Sequence, residues 1–441
     1  MNETLFEILN RDCRCISTDR EALERETLRV LGESGPTLPT WDDSSVFAAV
    51  PVFVSPEHLR VMRDTISAVE TLVKSSSYRA MAIERAPAIA HHLVMQQSVF
   101  FGYDFHLGKE GPALIEINTN AGGAMLNLLL ARAQRACCEG VEHLVASGVR
   151  LEQLDEEFVR MFRNEWALAR GEANLRAIAI VDDEPETQFL HAEFVLFREM
   201  FRRAGLEAFI CAPEQLRFER SGLHLGERRI DLVYNRLVDF YFEEPRHAAL
   251  REAYLADAVV ITPHPMAHAL YADKRNLSTL REVERHQAAG LTASQSNLLL
   301  SHIPETRLVD RADAERLWAE RKQWFFKPIH GYGSKAAYRG DKLTRSTFEE
   351  ILGRDYVVQR VVAPSQRHVE VGGAVIPLKL DIRCFAYDGN VQLVAARLYN
   401  GQTTNFRTLG GGFASVFTKS ALSPANGDDS QRLANINSRA P

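Results

Sequence analysis

The 441-residue sequence lacks the long apolar segment that a membrane helix needs. No uninterrupted apolar run approaches the roughly 20 residues that cross a bilayer. The first residues, MNETLFEILNRDCRC, contain neither a basic leader nor the apolar core of a secretory signal. We therefore expect a cytoplasmic protein that has no membrane partner.

An excess of basic residues is also missing. The chain has 52 lysines and arginines against 58 aspartates and glutamates, a formal net charge of −6, and the two signs are mixed throughout. Proteins that bind nucleic acids usually gather a positive excess on one face. We therefore expect no nucleic-acid partner.

Cysteine is scarce, and its six positions form no recognisable framework. Cys13 and Cys15 stand one residue apart, and Cys137 and Cys138 are adjacent. Neither arrangement has the ligand spacing of a zinc site, and six cysteines in so long a chain do not indicate a disulfide-stabilised fold. Reduced thiols that pack as small apolar residues are the simpler interpretation.

Two common nucleotide-binding motifs are absent. The segment IAIVDDEPE has no G-x-G-x-x-G turn after its strand, which disfavours a Rossmann dehydrogenase. The glycine-rich segment HGYGSKAAYRG lacks the GKS or GKT ending of a Walker A loop. The chain is nevertheless long enough, with 46% apolar residues, to bury the cores of two or three domains.

Strand and helix patterns divide the chain into five stretches. In one of them, β-branched runs such as IDLVYNRL alternate with amphipathic helices such as HAEFVLFREMFRRAG, which predicts a parallel, Rossmann-like layer. A later stretch contains antiparallel-type strands, so the fold class combines α/β with α+β. The expected parts are an N-terminal extension (1–50), a mainly helical part with one hairpin (51–150), a linker helix with the Rossmann-like layer (151–272), a strand-rich part (273–418) and a disordered tail (419–441).

The segment WFFKPIHGYGSKAAYRG is a candidate phosphate-binding loop. A strand delivers Lys327, and a turn with Gly331, Gly333 and Ser334 follows. Glycines let backbone N–H groups approach phosphate oxygens, and the lysine adds a positive charge. Taken alone, such a segment is more often only a turn.

The segment YVVQRVVAP predicts a strand between two lobes. Its backbone near Gln359 and Val361 is a candidate for contacting the edge of an adenine ring. Taken alone, a plain buried strand is the safer interpretation.

Two strands joined by an Asp-Gly turn carry a pair of arginines. The turn in LKLDIRCFAYDGNVQLVAARLYN brings Arg383 and Arg397 onto facing strands, and Asn405 follows before a run of three glycines. Two arginines beside a glycine-rich turn suit an anion that gains charge during a reaction. Cross-strand salt bridges to acidic neighbours are the alternative.

The hairpin DFHLGKEGPALIEINTN carries three oxygen ligands. Glu116 and Asn118 are two residues apart on a strand, so their side chains share a face, and strand pairing brings Asp104 alongside. Hard oxygen ligands with room for phosphate oxygens are what Mg²⁺ prefers. The alternative is that the side chains satisfy local hydrogen bonds, although a carboxylate between Ile115 and Ile117 is costly without a partner.

Together these segments resemble the ATP-grasp ligases. Residues 273–412 are similar to the family's nucleotide-binding part, and the run DIRCFAYDG–ARLY–NFRTLGGG is similar to bacterial glutathione synthetase and to the ligase that adds glutamate to ribosomal protein S6. The family's lysine after an aspartate corresponds to Lys274 in ADKRNLSTL. Ala121 stands where the family commonly has proline, and residues 1–50 match no part of it.

In the family, the magnesium motif comes last in the sequence, whereas here it lies far upstream at residues 104–118. The segment PAIAHHLVMQQSVFFG, which we expect to be a helix, precedes it as a helix does in the family. The resemblance therefore implies a circularly permuted ATP-grasp fold with a Rossmann-like domain before the nucleotide-binding part.

The resemblance implies a ligase that joins a carboxylate to an amine through an acyl phosphate and releases ADP and phosphate. Its cofactors would be ATP and one or two Mg²⁺ ions. Small-molecule substrates, a peptide or a protein acceptor, and a homo-oligomer all stay open. The implied roles are catalysis (Arg383, Arg397, Asn405), nucleotide binding (Lys274, Lys327, Gly331, Gly333, Ser334, Gln359, Val361) and metal binding (Asp104, Glu116, Asn118).

Arg236, at the end of a Rossmann-like strand, is a candidate for binding a substrate carboxylate. The mechanism needs no side-chain nucleophile, so His264, His268 and Cys384 are not nominated. Two other classes remain: a phosphotransferase that uses the same nucleotide site, and a non-catalytic nucleotide-binding regulator. Retention of the three metal ligands and both arginines disfavours the regulator.

Overall fold

The computed structural model describes residues 4–16, 18–32, 46–134, 141–143, 151–329, 331 and 336–419. All of the predicted tail except its first residue lies outside the described residues, as do Cys137 and Cys138. The strands are β1 (Val52–Phe53), β2 (Phe101–Gly108), β3 (Gly111–Asn118), β4 (Val141–His143), β5 (Ala177–Val181), β6 (Glu207–Cys211), β7 (Leu216–Glu219), β8 (Gly222–Leu225), β9 (Arg228–Ile230), β10 (Leu232–Asn235), β11 (Val260–Thr262), β12 (Thr306–Leu308), β13 (Trp324–Pro328), β14 (Tyr338–Arg339), β15 (Tyr356–Arg360), β16 (Gln366–Val371), β17 (Ala374–Tyr387), β18 (Asn390–Tyr399) and β19 (Gly412–Lys419).

The helices alternate with these strands, and none in the described part of the chain is long and apolar enough to cross a membrane. They are α1 (Leu5–Asp12), α2 (Arg20–Leu31), α3 (Pro56–Val73), α4 (Ser76–Glu84), α5 (Ala124–Ala133), α6 (Leu154–Arg170), α7 (His191–Arg203), α8 (Ala248–Leu255), α9 (Pro265–Ala267), α10 (Asn276–Thr279), α11 (Val283–Ala288), α12 (Ala293–His302), α13 (Ala314–Glu320) and α14 (Arg345–Leu352).

An eight-stranded sheet joins residues from distant parts of the sequence. Its main path is β1-β19-β18-β17-β2-β3, with β16 beside β17 and β4 beside β19. The predicted Asp-Gly turn links β17 to β18, and both turn residues have positive φ values, 47° at Asp388 and 76° at Gly389. Because β2 pairs with β17, the upstream hairpin lies directly beside the arginine-bearing strands.

The predicted Rossmann-like layer is confirmed. Strands β11, β10, β5 and β6 form a four-stranded sheet in that order, and every pair is parallel. Strands β5, β10 and β11 are buried along their whole length, as is usual in a sheet that is covered on both faces. The carboxyl ends of β5 and β10 are neighbours, because Asn235 pairs with Val181.

A third sheet carries the predicted strand of Lys327 and the strand predicted over YVVQRVVAP. Its order is β12-β15-β13-β14, with antiparallel pairs. Lys327 on β13 pairs with Val357 on β15. Buried Trp324, Phe326 and Phe348 form the core beneath this sheet.

The prediction of a helix over PAIAHHLVMQQSVFFG is wrong. Only a short 3-10 turn forms, over Ala88–His91, and the following residues are irregular up to β2. Ser98 and Phe100 have positive φ values of 78° and 50°, which no α-helix accommodates. The N–H groups of Gln97 and Ser98 instead donate to the buried carboxylate of Glu165, 2.9 Å away in each case.

The described part of the N-terminal extension packs against the outside of the sheets. Helix α1 contacts β1 and β16, and α2 contacts α5 and α7. The side chain of Asn10 bonds to both backbone groups of Phe53 at 2.8 and 2.9 Å, as a neighbouring strand would.

Candidate functional site

Two cavities meet where the three sheets approach one another. The narrower one, of about 110 Å³, lies between β2–β3, β13, β15 and β17–β18. The wider one, of about 340 Å³, lies between the end of β3 and the carboxyl ends of β5 and β10. Glu116, Lys274 and Gly331 line both, so the two cavities share a wall.

The three predicted metal ligands lie together, as the hairpin pattern indicated. Asp104 pairs with Glu116 across β2 and β3. Asn118 Nδ2 lies 3.0 Å from Asp104 Oδ2, in the bonding geometry of an amide donor. Asp104 and Glu116 line the narrower cavity, whereas Glu116 and Asn118 line the wider one. The three side chains therefore stand at the junction of the cavities.

Asp104 is also paired with both predicted arginines. Arg383 donates through Nε and Nη2 to its two carboxylate oxygens, at 2.7 Å each, and Arg397 donates to Oδ2 at 2.9 Å. Burial opposes ionisation, but the two guanidinium groups outweigh it and hold the pKa of Asp104 below its ordinary value. Asp104 is thus an ionised carboxylate that is 3% exposed.

The arginines occupy different positions. Arg397 lines the narrower cavity and forms a second ion pair with Asp381, directly opposite it on β17, at 2.7 Å. Arg383 lines neither cavity, because its guanidinium is turned toward Asp104 and the carbonyl of Gly122. The cross-strand salt bridges considered as the alternative are therefore present in this structure.

The two predicted lysines face the junction. Lys274 Nζ donates to the carbonyl of Gly331 at 2.8 Å and lies 3.8 Å from Glu116 Oε1. Lys327 Nζ donates to the carbonyl of Ile115 at 2.9 Å. Burial lowers the pKa of Lys327 to about 8, although the charge of Glu116 opposes this shift. Gly333 and Ser334 of the predicted loop lie outside the described residues.

Gln359 and Val361 make contacts that the sequence did not indicate. Gln359 lies on a central strand, and its side-chain Oε1 accepts from Lys327 Nζ at 2.8 Å. Val361 lines the narrower cavity, but its N–H already donates to the carbonyl of Gln323 at 2.9 Å. The carbonyl of Val361, rather than its N–H, is therefore the candidate for a contact with the edge of an adenine ring.

Asn405 lies in the loop between β18 and β19, outside the lining of both cavities. Its Nδ2 donates to the carbonyl of Asn400 at 2.7 Å, and its Oδ1 accepts from Thr408 Oγ1 at 3.0 Å. The side chain holds the loop that brings Thr404 to the narrower cavity.

Several lining residues escaped the sequence analysis. Asp381 accepts from Thr404 Oγ1 at 2.5 Å, and His106 Nδ1 bonds to the carbonyl of Val362 at 2.9 Å. Burial lowers the pKa of His106, so its imidazole is neutral near pH 7. The D-x-R spacing could have indicated Asp381, because residues two apart on a strand share a face. No local signal distinguished His106.

The wider cavity brings Arg236 together with Asp182. Both side chains line it, and each residue is 7% exposed. Burial raises the pKa of Asp182 to about 7, while the charge of Arg236 opposes the shift. The ring of His268, stacked on Phe240 with centroids 3.8 Å apart, forms part of the same wall.

The donor chemistry of the junction fits Mg²⁺ together with a polyphosphate. Two carboxylates and an amide oxygen are hard ligands, and two lysines supply charge for phosphate oxygens. Asp104 already carries two guanidinium partners, so Glu116, which is 32% exposed at its side chain, is the more accessible carboxylate.

Comparisons with known proteins support the fold. No family model and no curated protein matches the chain. A glutathione synthetase-like effector from Globodera pallida, GSS30, is 11% identical, with 91% of this chain and 98% of that chain covered and a TM-score of 0.54. A putative gamma-glutamylcysteine synthetase from Methylobacillus flagellatus is 10% identical over 86% and 91%, with a TM-score of 0.46. The ATP-grasp ligase PsnB, solved with a minimal precursor, is 13% identical over 60% and 98%, with a TM-score of 0.28.

At such identities, and with only the first of these three TM-scores above 0.5, the likeness concerns the fold. The eight-stranded sheet that carries the acidic hairpin, the separate lysine-bearing sheet and the Rossmann-like layer agree with the predicted architecture. The chain therefore has an ATP-grasp fold like that of the glutathione synthetase-like effector.

Proposed function

We propose that this chain is an ATP-dependent ligase that joins a carboxylate to an amine. The observation that carries the proposal is the shared wall of the two cavities. Lys274 and Lys327 give the narrower cavity the charge that a polyphosphate needs, and Arg236 gives the wider one a cation that can bind an anionic group of an organic substrate. Their junction at Glu116 is where a terminal phosphate and a substrate carboxylate would meet.

The reaction has two steps. The substrate carboxylate attacks the γ-phosphorus of ATP, which forms an acyl phosphate and releases ADP. An amine then attacks the acyl carbon, the bond from carbon to the phosphate oxygen breaks, and phosphate leaves. The protein's contribution to such phosphoryl chemistry is mainly positioning and neutralisation of charge.

The nucleotide would occupy the narrower cavity. Lys274 and Lys327 would bind its phosphates beside Gly331, and the backbone around Gln359 and Val361 would contact the adenine. The apolar parts of Phe325, Val362 and Tyr399 line the same space and would cover the base.

The two arginines would have different roles near the reacting phosphoryl group. Arg397 faces the cavity and would bind the transferring phosphoryl group, and Asn405 would hold the adjoining loop. Arg383 would act by positioning Asp104. Asp104, Glu116 and Asn118 would hold one or two Mg²⁺ ions, which neutralise charge on the phosphates.

The wider cavity would bind the organic substrates, a carboxylate and an amine. A cytoplasmic location is part of the proposal, because ATP is abundant there. We further propose that the order of the segments arose by circular permutation. The placement of β2 and β3 beside β17 supports this, since the hairpin completes the sheet from an upstream position.

The first prediction concerns Glu116→Gln. We expect at least about a hundredfold loss of ADP and phosphate formation, because the accessible carboxylate of the metal-binding set becomes a neutral amide. Purified protein would be incubated with Mg·ATP and pools of amino acids and small carboxylates, and both products would be assayed. Glu110→Gln, an exposed change in the same hairpin, is the matched control and should keep full activity.

The assay separates the alternatives. Equal amounts of ADP and phosphate that require two added substrates support the ligase. ADP without free phosphate, with a phosphorylated substrate, indicates a phosphotransferase. Binding of ATP without turnover in any pool contradicts the proposal for small substrates and favours a regulator or a macromolecular acceptor.

A further inference from the structure

Two opposite charges are buried side by side in the wider cavity. Asp182 and Arg236 follow the neighbouring parallel strands β5 and β10. The backbone N–H of Arg236 donates to the carbonyl of Val181 at 2.8 Å. Both side chains line the cavity, yet no ion pair within 4.0 Å joins these two described residues. A buried cation and a buried anion that are not paired with each other are costly unless another group completes them.

Arg236 has unused capacity to bind an anion. A guanidinium carries five N–H donors. In the described part of the chain, its side chain makes one hydrogen bond, from Nη1 to Tyr234 OH at 3.2 Å, and Nε has no partner. Its ion pair in this part of the chain is a long one, 4.0 Å from Nη2 to Glu193 Oε2, and that carboxylate also accepts from the N–H groups of Gly123 and Met125.

Asp182 has a complementary capacity to bind a cation. Its Oδ1 accepts only the N–H of the next residue, Asp183, at 2.8 Å, and the described residues offer it no ion pair. Burial raises the pKa of Asp182 to about 7 because its charge is incompletely compensated, although Arg236 opposes the shift. An ammonium group at this position would supply the missing charge.

The remaining walls are mainly apolar. Aromatic rings from the loops after β5 and β10, from helix α7 and from the loop before β19 line the cavity, and so do the amide side chains of Asn120 and Gln188; the aromatic lining residues are Phe189, Phe194, Phe240 and Phe406. A ligand with a small charged head and an apolar body matches this lining.

We infer that the wider cavity binds a free α-amino acid as the amine substrate, with its carboxylate on Arg236 and its ammonium group on Asp182. An α-amino acid carries its carboxylate and its ammonium group on one carbon, which suits two partners at adjacent strand ends. A peptide separates these two groups along its chain. That the bound amino acid is a substrate rests on the proposed ligase activity. That it binds rests on the cavity alone.

The arrangement assigns a chemical role to each group. Arg236 keeps the amino acid's own carboxylate away from the phosphoryl group. Asp182 takes one proton from the ammonium, and the neutral amine forms the C–N bond while phosphate leaves the acyl carbon. The second proton of the amine goes to the departing phosphate, so charge and protons balance.

Calorimetric titration of the full chain without nucleotide tests the inference. Each of the common L-α-amino acids would be titrated, followed by the carboxamide and the N-acetyl derivative of the best binder. We expect each derivative to bind at least about tenfold more weakly, because each removes one charged partner. Arg236→Gln should remove the discrimination against the carboxamide, and Asp182→Asn should remove the discrimination against the N-acetyl derivative.

Arg228→Gln and Asp64→Asn, both exposed, are matched controls that should bind like the unaltered chain. Retained ATP binding would show that each variant is folded. Equal binding of the derivatives, or no amino acid bound, would overturn the inference. Amino-acid binding with both discriminations but no ADP release would instead contradict the ligase proposal and leave the binding site intact.

Discussion

Individual side chains at the junction are held by ion pairs and hydrogen bonds to one another. Asp104 was predicted as a metal ligand, and it is also the acceptor for Arg383, Arg397 and Asn118. Arg397 in turn bridges Asp104 and Asp381. Since these charges neutralise one another, the net positive charge at the junction comes from Lys274 and Lys327, which Glu116 offsets only in part. Under the proposed function, we therefore expect the two lysines to control the affinity for ATP.

The second prediction concerns the pH dependence of Lys327. Its pKa of about 8 in the free protein is depressed, so the cation is present below pH 8 and is lost as the pH rises through that value. A bound phosphate requires the cation, and affinity for ATP should fall by up to about tenfold per pH unit above 8. Dissociation constants measured at pH 7 and pH 9 would show this fall.

Lys327→Arg should remove the fall, because a guanidinium stays protonated throughout this range. Lys327→Met should weaken binding already at pH 7, while Lys322→Met, at an exposed position, should change nothing. An unaltered chain whose affinity is the same at both pH values would contradict the assignment.

At the scale of elements, the two loops that form the mouth of the wider cavity are connected through one histidine. His247, which is fully buried, bonds through Nδ1 to Asp239 at 2.7 Å and through Nε2 to Asp183 at 3.0 Å. Asp183 belongs to the loop after β5 and Asp239 to the loop after β10. Arg246 also reaches Asp183, at 3.3 Å, and Glu244, at 2.6 Å.

The third prediction concerns His247→Gln. Burial alone would lower the pKa of His247, but its hydrogen bonds to the two carboxylates outweigh burial and raise the pKa above the ordinary value. The stabilisation is fully present below pH 6.5 and is lost as the pH rises through the raised pKa. The variant should lose about 2 kcal/mol of unfolding free energy at pH 6, and less at high pH.

Denaturant unfolding at pH 6 and pH 9 would measure this difference. Arg246→Gln controls for the neighbouring surface charge, because its guanidinium is partly exposed and touches the same carboxylate. An equal loss at both pH values would indicate that the histidine acts only through packing.

At the scale of the whole molecule, one buried arginine fastens the N-terminal segment to the large sheet. Arg367 on β16 donates to the carbonyls of Pro51, Asn10 and Cys13 at 2.8, 2.9 and 2.5 Å. None of the described residues 4–50 lines either cavity. The described part of this segment therefore supports the sheet and lines neither cavity.

The fourth prediction concerns Arg367→Met. Loss of the guanidinium leaves several buried carbonyls without a donor, so the unfolding free energy should fall by about 3 kcal/mol. Trypsin should then cleave first at Arg11, Arg14 or Arg20, while ATP binding persists. Limited proteolysis followed by mass measurement would identify the first cut. Arg311→Met is the exposed control, and initial cleavage elsewhere would contradict the anchoring role.

Much of the fold and part of the site could be predicted from the sequence because the signals are local. Alternation of apolar residues predicted the hairpin of Asp104 and Glu116, and the Asp-Gly turn predicted the neighbouring strands of Arg383 and Arg397. The pattern failed at residues 87–102, where the buried carboxylate of Glu165 replaces helical hydrogen bonds. Glu165 is remote in sequence, so no local pattern indicates that contact.

The sequence by itself determined the strands, the turns and the chemical types of the candidate ligands, since each depends on neighbouring residues. Only the tertiary structure decided which charges meet. It paired Asp104 with the arginines, turned Arg383 away from the cavity and set Gln359 against Lys327. It also placed Asp182 beside Arg236 without an ion pair. These outcomes depend on the packing of distant strands, because burial and pairing of charges arise only when separate parts of the chain come together.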